Sequence, residues 1–149
     1  MNNPLRLDSI SQNLADAFRQ AGELQRRRAA SAAAQIAASR TGLRGSEVES
    51  ALEILHRGGD GSAVRPNLEA LSADLDDQYF RLGEAEDEES GEASPEALRL
   101  FRKARAAAAL AFALSPDTEQ LHEAVYEAII ASEDRAETIR SADTALHGT

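Results

Sequence analysis

The sequence predicts an all-α protein, a helical bundle of about five helices with a long N-terminal helix and a C-terminal αα-hairpin. Three observations carry that prediction. Large apolar residues recur at spacings of three and four along the whole chain, and no run shows the two-residue alternation of a strand. Thirty of the 149 residues are Ala, the best helix former and small enough to let helices approach closely. Ser94-Pro95-Glu96 and Ser115-Pro116-Asp117 each read as a helix start, with an N-cap Ser, Pro at the first helical position and an acid where the helix dipole favours it.

The first helix is expected from about Asp8 to Arg40. Leu7, Ile10, Leu14, Ala17, Ala21 and Leu24 follow a 3,4,3,4,3 seam that Phe18 widens. Beyond Arg26-Arg27-Arg28 the seam gives way to AASAAAQIAAS, where Ile36 is the one large residue to bury. A capping box of Ser46 and Glu49 opens a short second helix to about Arg57, with Val48, Ala51, Leu52 and Leu55 on its inner face. Gly58-Gly59-Asp60-Gly61 ends it. The third helix, about Asn67 to Leu82, presents Leu68, Leu71, Leu75 and Leu82, with Tyr79 and Phe80 near its end.

A solvated acidic loop is expected over residues 83–94, where six carboxylates fall between Glu84 and Glu92 with no basic or aromatic residue among them. The fourth helix runs from Pro95 to Leu114 and is apolar on every side from Ala106 onward, which suits the centre of a bundle. The fifth extends through Leu121, Val125, Ala128, Ile129, Ala136 and Ile139 towards Leu146, and its tight turn with the fourth makes the αα-hairpin.

Length favours one domain spanning 1–149. Leu, Ile, Val and Phe number only 30, so the core must be built largely from Ala. The same shortage makes Leu7, Ile10, Leu14 and Phe18, or the Ala faces, candidates for the seam of a homodimer. There is no Cys, which leaves no disulfide and no thiolate chemistry. The longest all-apolar run, Ala106 to Leu114, is well short of the ~20 residues that span a bilayer, and the start carries no signal-like stretch, so a cytoplasmic setting is expected and no membrane. Arg outnumbers Lys 15 to 1, a usage that fits a GC-rich bacterial source.

The net charge of −10 divides into +4 over residues 1–45 and −14 over residues 46–149. An acidic body opposes direct nucleic-acid binding, which depends on neutralising phosphates, but suits a basic protein partner.

Two of the three His residues lie in Glu-x-x-His, as Glu53/His56 and Glu119/His122. Ferritin-like di-metal proteins use two such pairs with lone acids from other helices, for which Glu23 and Glu69 are candidates. The helical wheel opposes that use. Glu53 falls about 150° and Glu119 about 130° from the apolar stripes of their helices, so both carboxylates are expected to face water. Arg140 and His147 are similar in spacing to the Arg-x4-6-His motif of the HEPN ribonucleases, another all-α family, over eight residues. His147 lies two residues from the end of the sequence, where fraying would deny an acid-base pair its geometry. The glycine-rich Gly58–Gly61 has no following Lys-Ser/Thr and no preceding strand, so it is no phosphate loop.

These readings converge on a non-enzymatic protein-binding module without a cofactor. It would act through an acidic surface at Glu84, Glu86, Asp87, Glu88 and Glu89, as an immunity or inhibitor protein, a secretion chaperone or an adaptor. The alternatives are a di-metal carboxylate protein using Glu53, His56, Glu119 and His122, and a structural, self-associating bundle.

Overall fold

The long first helix expected from the sequence is broken. The computed structural model describes residues 4–85 and 94–148. It divides that stretch into a 3-10 turn at Arg6–Ser9, α1 at Gln12–Gln20 and α2 at Glu23–Thr41. The Ser11 hydroxyl accepts the Leu14 amide at 3.2 Å and starts α1, while Ala21 and Gly22 take extended conformations that separate it from α2. From α2, Arg26 reaches back to donate to the Phe18 and Arg19 carbonyls at 2.9 and 2.7 Å, near the C-terminal end of α1 where intrahelical donors run out. The break turns the seam inward. Leu7, Leu14 and Phe18 are buried in the chain's own core, Ile10 packs at its margin, and Leu24, beyond the break, is 56% exposed.

The second half of α2 packs through alanine, contrary to the expectation placed on Ile36. Ala29, Ala30, Ala33, Ala34, Ala37 and Ala38 are all buried, in adjacent pairs one helical turn apart, whereas Ile36 is half-exposed. This methyl-wide band lets α5 (Pro95–Ala113), α6 (Leu121–Ala131) and α7 (Arg135–His147) all lie against α2. As expected, α5 is central: it also packs on α4 (Arg65–Ala85) and forms the αα-hairpin with α6. A 3-10 turn, Thr118–Gln120, leads into α6.

Three helix ends differ from expectation. Gly45, at φ 137°, takes the N-cap of α3 (Ser46–Arg57), so Ser46 is already helical and its hydroxyl donates to Glu47 instead of forming the capping box with Glu49. The C-terminal helix is interrupted at Ser132, and Asp134 caps α7 by accepting the Glu137 amide at 3.1 Å. That interruption rotates the buried face, so Ala136 is exposed and Thr138, Ala142 and Leu146 are buried. At α4, the helix reaches Ala85, which makes Gly83 and Glu84 helical and not part of a loop. Among the described residues there is no strand, and no helix is long and apolar enough to cross a membrane.

Candidate functional site

Helices α4 and α5 are held antiparallel by side chains that cross between them. Arg65 donates from Nε to the Ala111 carbonyl at 3.0 Å, and the buried Ser72 hydroxyl donates to the Ala104 carbonyl at 2.9 Å. Nearer the acidic connection, Asp76 meets Arg105 at 2.6 Å, and the rings of Tyr79 and Phe101 lie 5.6 Å apart. These four contacts fix the register of the α4–α5 pair and place the last turns of α4 beside the first turns of α5.

Two features of this helix pair are left open. Small residues leave a hollow of about 320 Å³ between Glu69, Ala73 and Asp76 of α4 and Ala108, Ala111 and Phe112 of α5. Three turns from Glu69, Phe80 is 65% exposed, its ring tilted against Tyr79 at 5.6 Å. Glu69, Ala73, Asp76, Phe80 and Glu84 recur at spacings of three and four, so the hollow, the exposed ring and the acid lie along one face of α4. Leu98, in the first turn of α5 and 39% exposed, lies at the level of Phe80 in the register set by Tyr79 and Phe101.

The acidic surface expected from the sequence falls partly on this face. Glu84 is exposed in the last turn of α4, whereas Glu86, Asp87, Glu88 and Glu89 lie outside the described residues. The last turn of α4 holds no basic residue, so Glu84 sits where the helix dipole disfavours a negative charge.

Below this surface runs a polar network that the sequence did not reveal. Glu127 of α6, 3% exposed, accepts Arg6 on one carboxylate oxygen at 2.9 Å and Arg105 on the other at 3.1 Å. Arg6 also pairs with Glu123 at 2.5 Å and lies over the Tyr126 ring at 4.1 Å. Asp76, Arg105, Glu127, Arg6 and Glu123 therefore tie α4, α5, α6 and the N-terminal 3-10 turn together. At that same turn Asp8 accepts from Arg19 and from the Leu5 amide, and its carboxyl is held down at about 2, chiefly by the Arg19 hydrogen bond.

The Glu-x-x-His residues stand apart from one another's chemistry. Glu53 is exposed and pairs with Arg57 at 3.3 Å, His56 is exposed, and Glu119 is exposed at the turn before α6. His122 turns inward with its ring edge-on to Phe18, and its Nδ1 lies 3.2 Å from Glu123. Among the described residues no group of three or more His, Asp or Glu is arranged to hold a metal ion. Arg140 is exposed on α7, and His147 belongs to that helix's last turn with Nε2 3.2 Å from Asp143.

Phe80 could have been found from the sequence. It falls about 150° from the Leu68/Leu75/Leu82 stripe of its own helix, so it had to be exposed. The hollow depends on the α4–α5 register and had no such signal. No family model, curated protein or solved structure matches the chain.

Proposed function

We propose that the chain is a non-enzymatic protein-binding module that takes a basic protein partner on the acidic surface at the end of α4, in the manner of an immunity or inhibitor protein, a secretion chaperone or an adaptor. The observation that carries this reading is the exposed Phe80 ring, followed one turn later on the same face by Glu84, with the acidic run next in the sequence. An exposed aromatic beside like charges is the composition of a docking surface: the ring supplies area to be desolvated, and the charge speeds encounter and selects the partner's sign. Glu84 supports it further, because an acid that weakens its own helix end is relieved when a cation arrives.

Affinity capture with the tagged chain from its own host, at low salt and at about 0.5 M salt, tests the reading. A basic protein retained at low salt, released at high salt and no longer captured by the Glu86→Gln, Asp87→Asn, Glu88→Gln variant is the expected result. Capture unaffected by both salt and the three substitutions would refute it.

A further inference from the structure

We infer that α3 is a hinged strap, a helix that swings away from the bundle as one unit on the glycines at its two ends while the rest of the chain stays folded. The inference goes beyond the protein-binding reading and does not depend on it.

The first argument is how little holds α3. It buries Val48 and Ala51, with Leu52 and Leu55 packed at the margin of the core, where it lies against α2, α4 and α5. Its polar side-chain contacts run along itself, from Ser46 to Glu47 and from Arg57 to Glu53. Among the described residues no hydrogen bond or ion pair joins a side chain of α3 to another element. Every other helix has such a tie. Arg26 on the Phe18 carbonyl joins α2 to α1, Arg40 on Glu137 joins α2 to α7, and Arg105 joins α5 to α4 through Asp76 and to α6 through Glu127. The apolar packing is itself incomplete on one side, where a recess of about 410 Å³ lies between Ile54 and Leu55, both half-exposed, and Leu114 and Pro116 of the α5–α6 turn. A short apolar face without polar anchors places α3 at the low end of local stability.

The second argument is the backbone at its two ends. All four residues with positive φ among those described flank α3: Gly42 and Gly45 precede it, Gly58 and Gly59 follow it. Gly45 at φ 137°, ψ 162° and Gly58 at φ 86°, ψ 167° occupy a region open essentially to glycine alone. A Cβ at Gly58 or Gly59 would meet nothing within 4 Å, so conformation and not packing calls for glycine there. Just outside these points the chain is fixed again. Leu43 is buried, and Gly61 lies so close to Leu114 that a Cβ would come within 2.9 Å. Asp60 accepts the Ser62 amide at 2.9 Å, which closes the turn between hinge and anchor. A stiff segment between permissive residues, themselves bounded by anchored ones, is the arrangement in which a few φ/ψ changes move a whole element. Opening uncovers Val48, Ala51, Leu52 and Leu55 together and widens the recess beside Leu114.

The chain has no Cys, so one introduced thiol reports its own exposure. Ala51→Cys places the thiol on the buried face of α3, and Ala107→Cys places it at an equally buried site in α5. Both variants are treated with a thiol reagent under native conditions and in urea well below the unfolding midpoint. We expect the Ala51→Cys thiol to react at least about a hundredfold faster than the Ala107→Cys thiol. Its rate should be nearly flat in urea, because release of a 12-residue helix exposes little surface, whereas the Ala107→Cys rate should climb steeply. Adding Arg6→Ala, which weakens the network on Glu127 far from α3, should speed the Ala107→Cys thiol about fivefold and leave the Ala51→Cys thiol unchanged. Equal rates that rise together with urea and with Arg6→Ala would show that α3 leaves only when the whole bundle unfolds, and would overturn the inference. Hydrogen exchange of the unmodified chain supplies a test that needs no variant. The amides of residues 50–57 should exchange as one group, insensitive to low urea and ahead of α2 and α5. Protection that falls gradually from Ala51 towards the two ends of α3 would show fraying and overturn the strap.

Discussion

Arg105 of α5 and Glu127 of α6 meet at 3.1 Å, and Arg6, from the N-terminal 3-10 turn, holds the other oxygen of the same buried carboxylate at 2.9 Å. One carboxylate thus joins three segments far apart in sequence. Glu127→Ala leaves two guanidinium groups without their shared partner, one of them largely buried. We predict a loss of about 3 kcal/mol in urea unfolding, at the lower end for a broken buried ion pair because Arg6 is 47% exposed. For the same reason Arg6→Ala should cost about 1 kcal/mol.

The alanine band of α2 sets how closely α5, α6 and α7 approach. Ala34→Leu inserts methylenes where Ala34 is fully buried and should destabilise by about 1–3 kcal/mol. Ile36→Ala, although it removes the largest residue of that stretch, should cost less than about 1 kcal/mol because Ile36 lies outside the buried core. Thermal or urea melts of the two variants check the reversal of rank.

The break between α6 and α7 makes a prediction of sign. Asp134 accepts the Glu137 amide as an N-cap, so Asp134→Ala should cost about 1 kcal/mol. In an unbroken helix the same substitution would replace a poor helix former with the best one and gain roughly 0.5 kcal/mol. Chemical denaturation gives the sign directly.

Asp8 makes stability depend on acid. Its carboxyl titrates at about 2 in the folded chain, held down by Arg19 first and by the Leu5 amide second, against about 3.9 for an unperturbed Asp. The folded value lies below the unfolded one, so the contribution is fully present above about pH 4 and is lost as pH falls through about 2. The stability gap between wild type and Asp8→Asn should therefore be constant above about pH 4 and close across that window, as followed by urea midpoints at successive pH values.

The sequence made the all-α class and the α5–α6 hairpin legible because both rest on local signals. Ser94 does accept the Ala97 amide at 3.1 Å with Pro95 next to it, as the Ser-Pro-Glu triplet implied. The helix breaks were also written locally, at Gly22 and in Asp134-x-x-Glu137, but strong apolar periodicity running across them concealed the stops. Leu24 continues the seam in sequence and leaves it in space, because the two extended residues before α2 redirect the chain. The Arg6–Glu127 contact joins residues 121 positions apart, and no spacing rule reaches that far. The proposed docking face was half visible: Glu84 and the angular position of Phe80 could be read from one helix. The hollow needed the second helix and its register.

The most direct test of the proposed docking surface is a backbone amide chemical-shift titration of the isotope-labelled full-length chain with a Lys-rich peptide. The shifts are predicted to concentrate on the last turns of α4 around Phe80 and Glu84, with Phe80→Ser weakening them. Shifts spread over acidic residues throughout the chain, or gathered on α7 or α3 with that end of α4 unmoved, would contradict the proposal.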